Sequence, residues 1–264
     1  MSRTRAPAVA GFFYPADRAQ LERALAGYLD AVPPSAASAP TAKALIVPHA
    51  GYVYSGPVAA SGYARIAARR RAIRRIVLLG PSHRVPLYGL AASSADAFAT
   101  PLGEVPLDRD AVDAILDLPQ LQVFDAAHRD EHSLEVQLPF LQYLLDDFAL
   151  VPLAVGDAEP DEVGEVIEHL WGGPETLFIV SSDLSHYYDY ETARRLDAAT
   201  TRAIEALDAA GLGPESACGR VPTRGLLVAA KRHRLSVETV DLRNSGDTAG
   251  DKRRVVGYGS YVFS

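Results

Sequence analysis

One cysteine, Cys218, occurs in 264 residues. That excludes an intrachain disulfide framework and suits a reducing compartment. Basic charge is in deficit: 26 Lys and Arg stand against 33 Asp and Glu, for a net charge of −7. Such a balance argues against a nucleic-acid footprint, which is usually basic. No apolar run is long enough to span a membrane, and the opening stretch, MSRTRAPAVAGFFYPAD, lacks the apolar core of a secretory signal. Internal repeats are missing as well. These absences lead us to expect a soluble, cytoplasmic chain with no nucleic-acid and no membrane partner.

What is present is ordinary for a globular protein: 48% hydrophobic and 22% charged residues. The arginine-rich run at 65–75, RIAARRRAIRR, reads as a solvated helix end rather than a patch for an anionic partner. Residues 17–30 read as an amphipathic helix capped by Asp17. The Pro-, Ala- and Ser-rich stretch at 31–42 reads as linker-like. Beyond it, short apolar runs alternate with helical patterns. KALIVPH, RRIVLLGPSH, ALVPLAVG and ETLFIVSSDLSH read as strands. PVAASGYARIAARR, DRDAVDAILDL, EHSLEVQLPFLQYLLDDF, PDEVGEVIEHLWG, the long stretch from Tyr190, and GRVPTRGLLVAAKRHR read as helices. The segment from Gly89 to Leu107 is irregular or short-stranded, and SVETVDLRNSGD and RVVGYGSYVFS close the chain as strands. The alternation predicts one α/β domain over 1–264, a sandwich with a sheet buried on both faces.

Three of the predicted strands end in the same way. ALIVPH stops at His49, IVLLGPSH at His83, and LFIVSSDLSH at Asp183 and His186. Ligands of open α/β sheets bind just outside the carboxyl ends of the strands, and loops there carry function more often than chance. Convergence requires that the three strands be neighbours. His169 and His233 lie in helices and read as structural or solvated, and His128 is undecided. In EHSLEVQLPFL the spacing places His132 and Glu135 three apart at a helix start. The acid could then fix the imidazole's tautomer or raise its pKa, as an outer support or as an acid/base pair, or the pair could be a helix-start hydrogen-bond network. Cys218, in ESACGRVP, stands where a loop meets a helix start. It reads either as a small buried hydrophobe or as a thiolate favoured by the helix end, serving as metal ligand or nucleophile.

GFFYPAD, VPHAGYVYSG, GPSH, EHSLEVQLPFL, SSDLSHY and the closing NSGD…VVGYGSYVF together resemble the Memo family, whose prokaryotic members are called AmmeMemoRadiSam system protein B. The resemblance runs through nearly the whole chain with its motifs in order. It implies the fold of the catalytic subunit of class III extradiol ring-cleaving dioxygenases, an α/β sandwich around a central mixed sheet flanked by helices. It implies a metal held by His49, His83 and Cys218, with Asp183 and His186 completing the pocket as the acid/base pair. Tyr52 and Tyr54 would form pocket wall, with His132 and Glu135 beside them. Radical-SAM and AMMECR-type proteins are partners by family association, and the ligand itself would be a small molecule or peptide.

A cysteine in place of the carboxylate of a two-histidine, one-carboxylate iron site departs from the dioxygenase pattern. Iron(II) is the expected metal, with zinc and copper as alternatives, since thiolate suits both. The reading that follows is iron-dependent redox or dioxygenase-like chemistry on a small substrate. A metal-free cysteine-dependent hydrolase and a non-catalytic metal- or peptide-binding module are the alternatives.

Overall fold

The structure, a computed structural model, describes residues 3–34 and 41–264. In chain order the strands are β1 (Thr4–Arg5), β2 (Ala44–Val47), β3 (Arg75–Pro81), β4 (Leu90–Ala92), β5 (Ala97–Thr100), β6 (Gly103–Pro106), β7 (Leu121–Val123), β8 (Ala149–Val155), β9 (Thr176–Ser181), β10 (His186–Tyr188), β11 (Val237–Asn244) and β12 (Val255–Phe263). The helices are α1 (Arg18–Asp30), α2 (Tyr52–Tyr63), α3 (Arg109–Asp113), α4 (Ala126–Arg129), α5 (Leu138–Leu144), α6 (Pro160–His169), α7 (Tyr190–Glu205), α8 (Arg220–Arg232) and α9 (Ser245–Thr248).

Among the described residues, nine strands form one mixed sheet in the order β10-β12-β2-β9-β3-β8-β4-β7, with β11 paired to β12. A smaller sheet joins β1, β5 and β6. Side chains alternate across a strand, so a run that is apolar at every position must be covered on both faces. Leu45, Val47, Ile76, Leu78, Leu177 and Ile179 pack to one side, with Leu21 and Leu25 of α1, Tyr63 of α2 and Phe140 of α5. Ala44, Ile46, Val77, Leu79, Phe178 and Val180 pack to the other, with Val166 of α6, Ile204 of α7 and Leu226 of α8. The expected α/β sandwich with a central mixed sheet flanked by helices is the observed fold.

Strands β2, β9, β3 and β8 run parallel as consecutive neighbours. Their carboxyl ends therefore share one edge, and the three tips carrying His49, His83 and Asp183 meet there. The neighbour relation that convergence requires is met, with β9 standing between β2 and β3.

Several helix boundaries differ; the predicted helix over 108–118, for one, is confined to Arg109–Asp113. Helix α2 begins at Tyr52, five residues before the predicted Pro57, because the Tyr52 amide has an outside partner in the Phe13 carbonyl (2.8 Å). The predicted helix from His132 is a 3₁₀ turn at Glu135–Gln137 followed by α5. Its first amides, those of His132 and Ser133, are taken by the Glu131 carboxylate at 2.9 Å each. The closing SGD leaves the strand as α9, capped by Asn244. Of the linker-like stretch 31–42, residues 35–40 lie outside the described residues. The arginine-rich run is ion-paired at the surface, Arg65 to Glu238, Arg70 to Asp146 and Arg75 to Asp108.

Candidate functional site

Each tip delivers its side chain through a short rigid turn. His49 follows Val47-Pro48 and is buried at 2% exposure. Its amide and that of Ala50 donate to Asp183 Oδ1 at 2.7 and 3.3 Å, so the β9 tip fixes the β2 tip. Two glycines allow the remaining elements to close on this edge. A Cβ on Gly80 would stand 2.9 Å from Ser133 Oγ, where the His132–Ser133 loop settles on β3. A Cβ on Gly219 would stand 2.8 Å from the Ser181 carbonyl oxygen, where α8 begins against β9.

Hydrogen bonding decides which nitrogen of His49 is free. Ser181 Oγ lies 2.5 Å from the Ser133 carbonyl, which can only accept, so the single hydroxyl hydrogen goes there. Gln137 Nε2 donates to Ser181 Oγ (2.7 Å) and to the Pro48 carbonyl (3.0 Å). Ser181 Oγ must therefore accept from His49 Nδ1, 2.9 Å away. Nε2 of His49 keeps its lone pair, and its hydrogen-bond partner is the Cys218 thiol, with Sγ 3.3 Å away. Burial, with His132 and His83 nearby, pushes the His49 pKa well down, so the ring is neutral, as a metal ligand must be.

The same logic applies to His83. Its Nδ1 lies 2.9 Å from Glu131 Oε1, and its amide donates to Glu131 Oε2 at 2.5 Å. An ionised carboxylate only accepts, so Nδ1 carries the hydrogen and Nε2 is free. The surrounding donors, His83 foremost, hold Glu131 at about 2 despite burial. The His132 ring stacks on His83 at 4.6 Å and 21°, and stands across from His49 at 5.4 Å and 86°. His132 Nδ1 is buried and lies 3.2 Å from Glu131 Oε1, yet lacks the alignment of a hydrogen bond. Burial lowers the His132 pKa to about 4.

His49, His83 and His132 each offer one ligand atom, and these atoms lie within 4.8 Å of one another. Cys218 adjoins this group through its contact with His49, and its Sγ also accepts from the Asp183 amide (3.2 Å). Donors at about 2.3 Å (sulfur) and 2.0 Å (nitrogen) from one tetrahedral ion stand about 3.5 Å apart, close to the observed spacing. Two imidazoles whose Nδ1 atoms are committed to outer hydrogen bonds, a third with an unpartnered buried nitrogen and an adjacent thiol fit a metal ion. The helix start does not make Cys218 a thiolate by itself: burial and the Asp183 carboxylate push its pKa up. A cation bound beside the sulfur would reverse that.

The other residues singled out in the sequence divide into two groups. Asp183 and His186 line the cavity of about 560 Å³ that holds His49, His83, His132 and Cys218. They do not hydrogen-bond to each other as the acid/base pairing requires. Asp183 Oδ1 is engaged by two amides, and His186 Nδ1 donates instead to the Leu184 carbonyl at 2.8 Å. The tautomer is still set, and His186 Nε2 is the open nitrogen. Burial pushes Asp183 up to about 6. Tyr54 lines an adjoining cavity of about 710 Å³ with His132, Asp183, His186, Arg254 and Tyr258.

Tyr52 and Glu135 stand elsewhere. Tyr52 is buried and donates to the Val136 carbonyl at 2.7 Å, so it belongs to the core rather than the pocket wall. Glu135 faces away from His132. It binds Arg5, the amides of Ala8 and Val9, and the Tyr14 hydroxyl (2.6 Å), clamping the N-terminal segment in place. Through that clamp Phe13 reaches the cavity and packs on His132 at 4.7 Å. The glutamate that does serve the histidines is Glu131, which sequence reasoning missed. The only signal for it is its place directly before His132.

Comparison with known proteins identifies the family. The family described as Memo-like protein matches residues 5–262. A MEMO1 family protein of Aquifex aeolicus is 38% identical, with 99% of each chain covered. One from Methanopyrus kandleri is 37% identical over 98% of each chain, and one from Archaeoglobus fulgidus is 38% identical over 98% of this chain and 99% of its own. With its fold, its strand-tip histidines and relatives that align over nearly their full length, this chain belongs to the Memo family.

Proposed function

We propose that this protein is a mononuclear metal protein whose ion sits among His49, His83, His132 and Cys218, and that the ion serves redox, dioxygenase-like chemistry on a small organic substrate. The observation that carries the reading is the convergence of three imidazole nitrogens within 4.8 Å at one sheet edge. Two of those rings have Nδ1 committed to an outer hydrogen bond, which turns Nε2 inward. Iron(II) is the favoured ion, zinc and copper the others compatible with a histidine and thiolate set. Bound iron supplies one-electron redox and Lewis-acid chemistry at that point.

The chain's own groups do the rest. His186 Nε2, open on the cavity, takes or gives a proton, a role typically worth ~10²–10⁴-fold in rate. Asp183, near 6, holds the His49 turn through Oδ1 and carries charge beside the reacting centre. Phe13 and Tyr54 wall the adjoining cavities. The metal-free cysteine hydrolase is disfavoured because a nucleophile needs thiolate, and the raised Cys218 pKa works against it in the absence of a cation.

Metal analysis of protein purified without added metal is the first test, followed by iodoacetamide labelling of the single cysteine. We expect one ion per chain and slow alkylation that accelerates after chelation. Metal-free protein with a rapidly alkylated thiol would overturn the reading in favour of the hydrolase. Metal-bound protein with equal alkylation rates before and after chelation would remove Cys218 from the ligand set.

A further inference from the structure

We propose that Glu131 is the positioning carboxylate of the metal centre: it locks the His83 ring with Nδ1–H outward and Nε2 toward the cavity. The inference rests on the metal reading above and assigns a role to a residue outside the expected ligand set. Glu131 is 1% exposed. Its Oε1 accepts from His83 Nδ1 and from the amides of His132 and Ser133, all at 2.9 Å, and Oε2 accepts from the His83 amide at 2.5 Å. Four donors from three consecutive or facing residues meet one side chain. A carboxylate presents acceptors on both oxygens; no other side chain of this length does so without also presenting a donor.

The arrangement also explains why only one of the two stacked rings is locked. With three hydrogen bonds already on Oε1, nothing well aligned remains for His132 Nδ1, which stays unpartnered. His49, by contrast, is fixed by Ser181 and Gln137. The centre thus has two preset rings and one adjustable ring. Glu131 is in turn held from behind. Its carbonyl accepts from Arg5 Nη2 at 2.7 Å, and Arg5 pairs with Glu135 at 2.6 Å. The two glutamates of EHSLE therefore act on opposite sides of the same turn, one on the ring and one on the segment that braces it.

The test uses Glu131→Gln and Glu131→Asp in the full chain. Glutamine must turn its NH₂ toward either the His83 amide or the His83 ring, a donor against a donor. Outer-shell partners of metal-bound histidine are typically worth 10–100-fold in affinity. We expect Glu131→Gln to bind zinc(II), used as probe, 10–100-fold more weakly, and Glu131→Asp to recover part of the loss. The direct readout is the ¹⁵N spectrum of the histidine rings in metal-free wild-type protein, with His83 assigned by the signal missing from His83→Asn. The Nδ1–H form is expected there. An Nε2–H form, or unchanged zinc affinity in a folded Glu131→Gln protein, overturns the assignment. Because the ring spectrum needs no metal, a protein that binds none but shows Nδ1–H refutes the metal reading and not the lock itself. If Glu131→Gln fails to fold, the wild-type ring spectrum decides alone.

Discussion

The two edges of the parallel strands carry comparable polar chemistry and dispose of it in opposite ways. At the amino edge Lys43, directly before β2, gives its three ammonium hydrogens to the carbonyls of Trp171, Gly173 and Thr176 at 2.6, 2.9 and 3.1 Å. Every donor is used, and the ammonium lies over the Trp171 and Phe178 rings at 5.0 and 5.4 Å. At the carboxyl edge the outward nitrogens of His49, His83 and His186 are used, while among the inward ones only His49 Nε2 has a partner, the weakly bonding Cys218 thiol. Buried polar groups are normally paired, so a saturated cluster is architecture. A cluster that leaves ring nitrogens weakly bonded or unpartnered has capacity to spare for a ligand, as the proposed function requires. Burial alone does not separate the two edges; completeness of hydrogen bonding does.

The largest test of that difference is pH. In metal-free protein, His132 has a folded pKa of about 4 against 6.5 unfolded. The unfolded chain then binds the extra proton in that interval. Stability is full above 6.5 and is lost as pH falls through 4, by about 3 kcal/mol at most for this one ring. His49, shifted the same way, adds to the slope. Urea midpoints measured from pH 7 to pH 4 should fall steeply in the metal-free protein and less so in His132→Asn. Because Asp183, raised to about 6, contributes the opposite slope, the difference between the two proteins is the readout: equal pH dependence in wild type and His132→Asn would mean that the His132 ring is not buried neutral. The comparison sharpens further with Lys43→Met. This change removes three hydrogen bonds to carbonyls, of which Gly173 keeps one from the Thr176 amide, and should cost about 2 kcal/mol, with zinc(II) affinity unchanged. A drop in affinity on that variant would show the edges to be coupled and the contrast between them false.

The sequence carried the fold through its unbroken apolar runs, since ALIV, IVLL and LFIV can be satisfied only between two covered faces. It carried His49, His83, Asp183 and His186 because each stands at the end of such a run, and a strand tip is a position that pattern alone can locate. Cys218 came through the resemblance and its place before α8. Roles within the Glu131–Glu135 turn were not legible. The three-residue spacing of His132 and Glu135 suggests one helical face, but the carboxylate of Glu131 takes the amides a helix would need and turns the chain the other way. Tyr52 was misplaced for a related reason: helix α2 begins early and rotates its ring into the core, while Tyr54, two residues on, faces the cavity. Orientation around a turn depends on which distant partner captures the first amides, and no local pattern encodes that.

Metal uptake by His83→Ala, set beside the wild type and Lys43→Met, is the most direct test of the central claim. His83 is exposed at the cavity mouth, with its side chain 29% accessible, so its removal should spare the fold. We expect one zinc(II) per chain for the wild type and for Lys43→Met, and affinity reduced at least a hundredfold for His83→Ala with an unchanged circular dichroism spectrum. Full metal content in folded His83→Ala protein would contradict the account, because it would mean that the open lone pairs at the carboxyl edge do not converge on an ion.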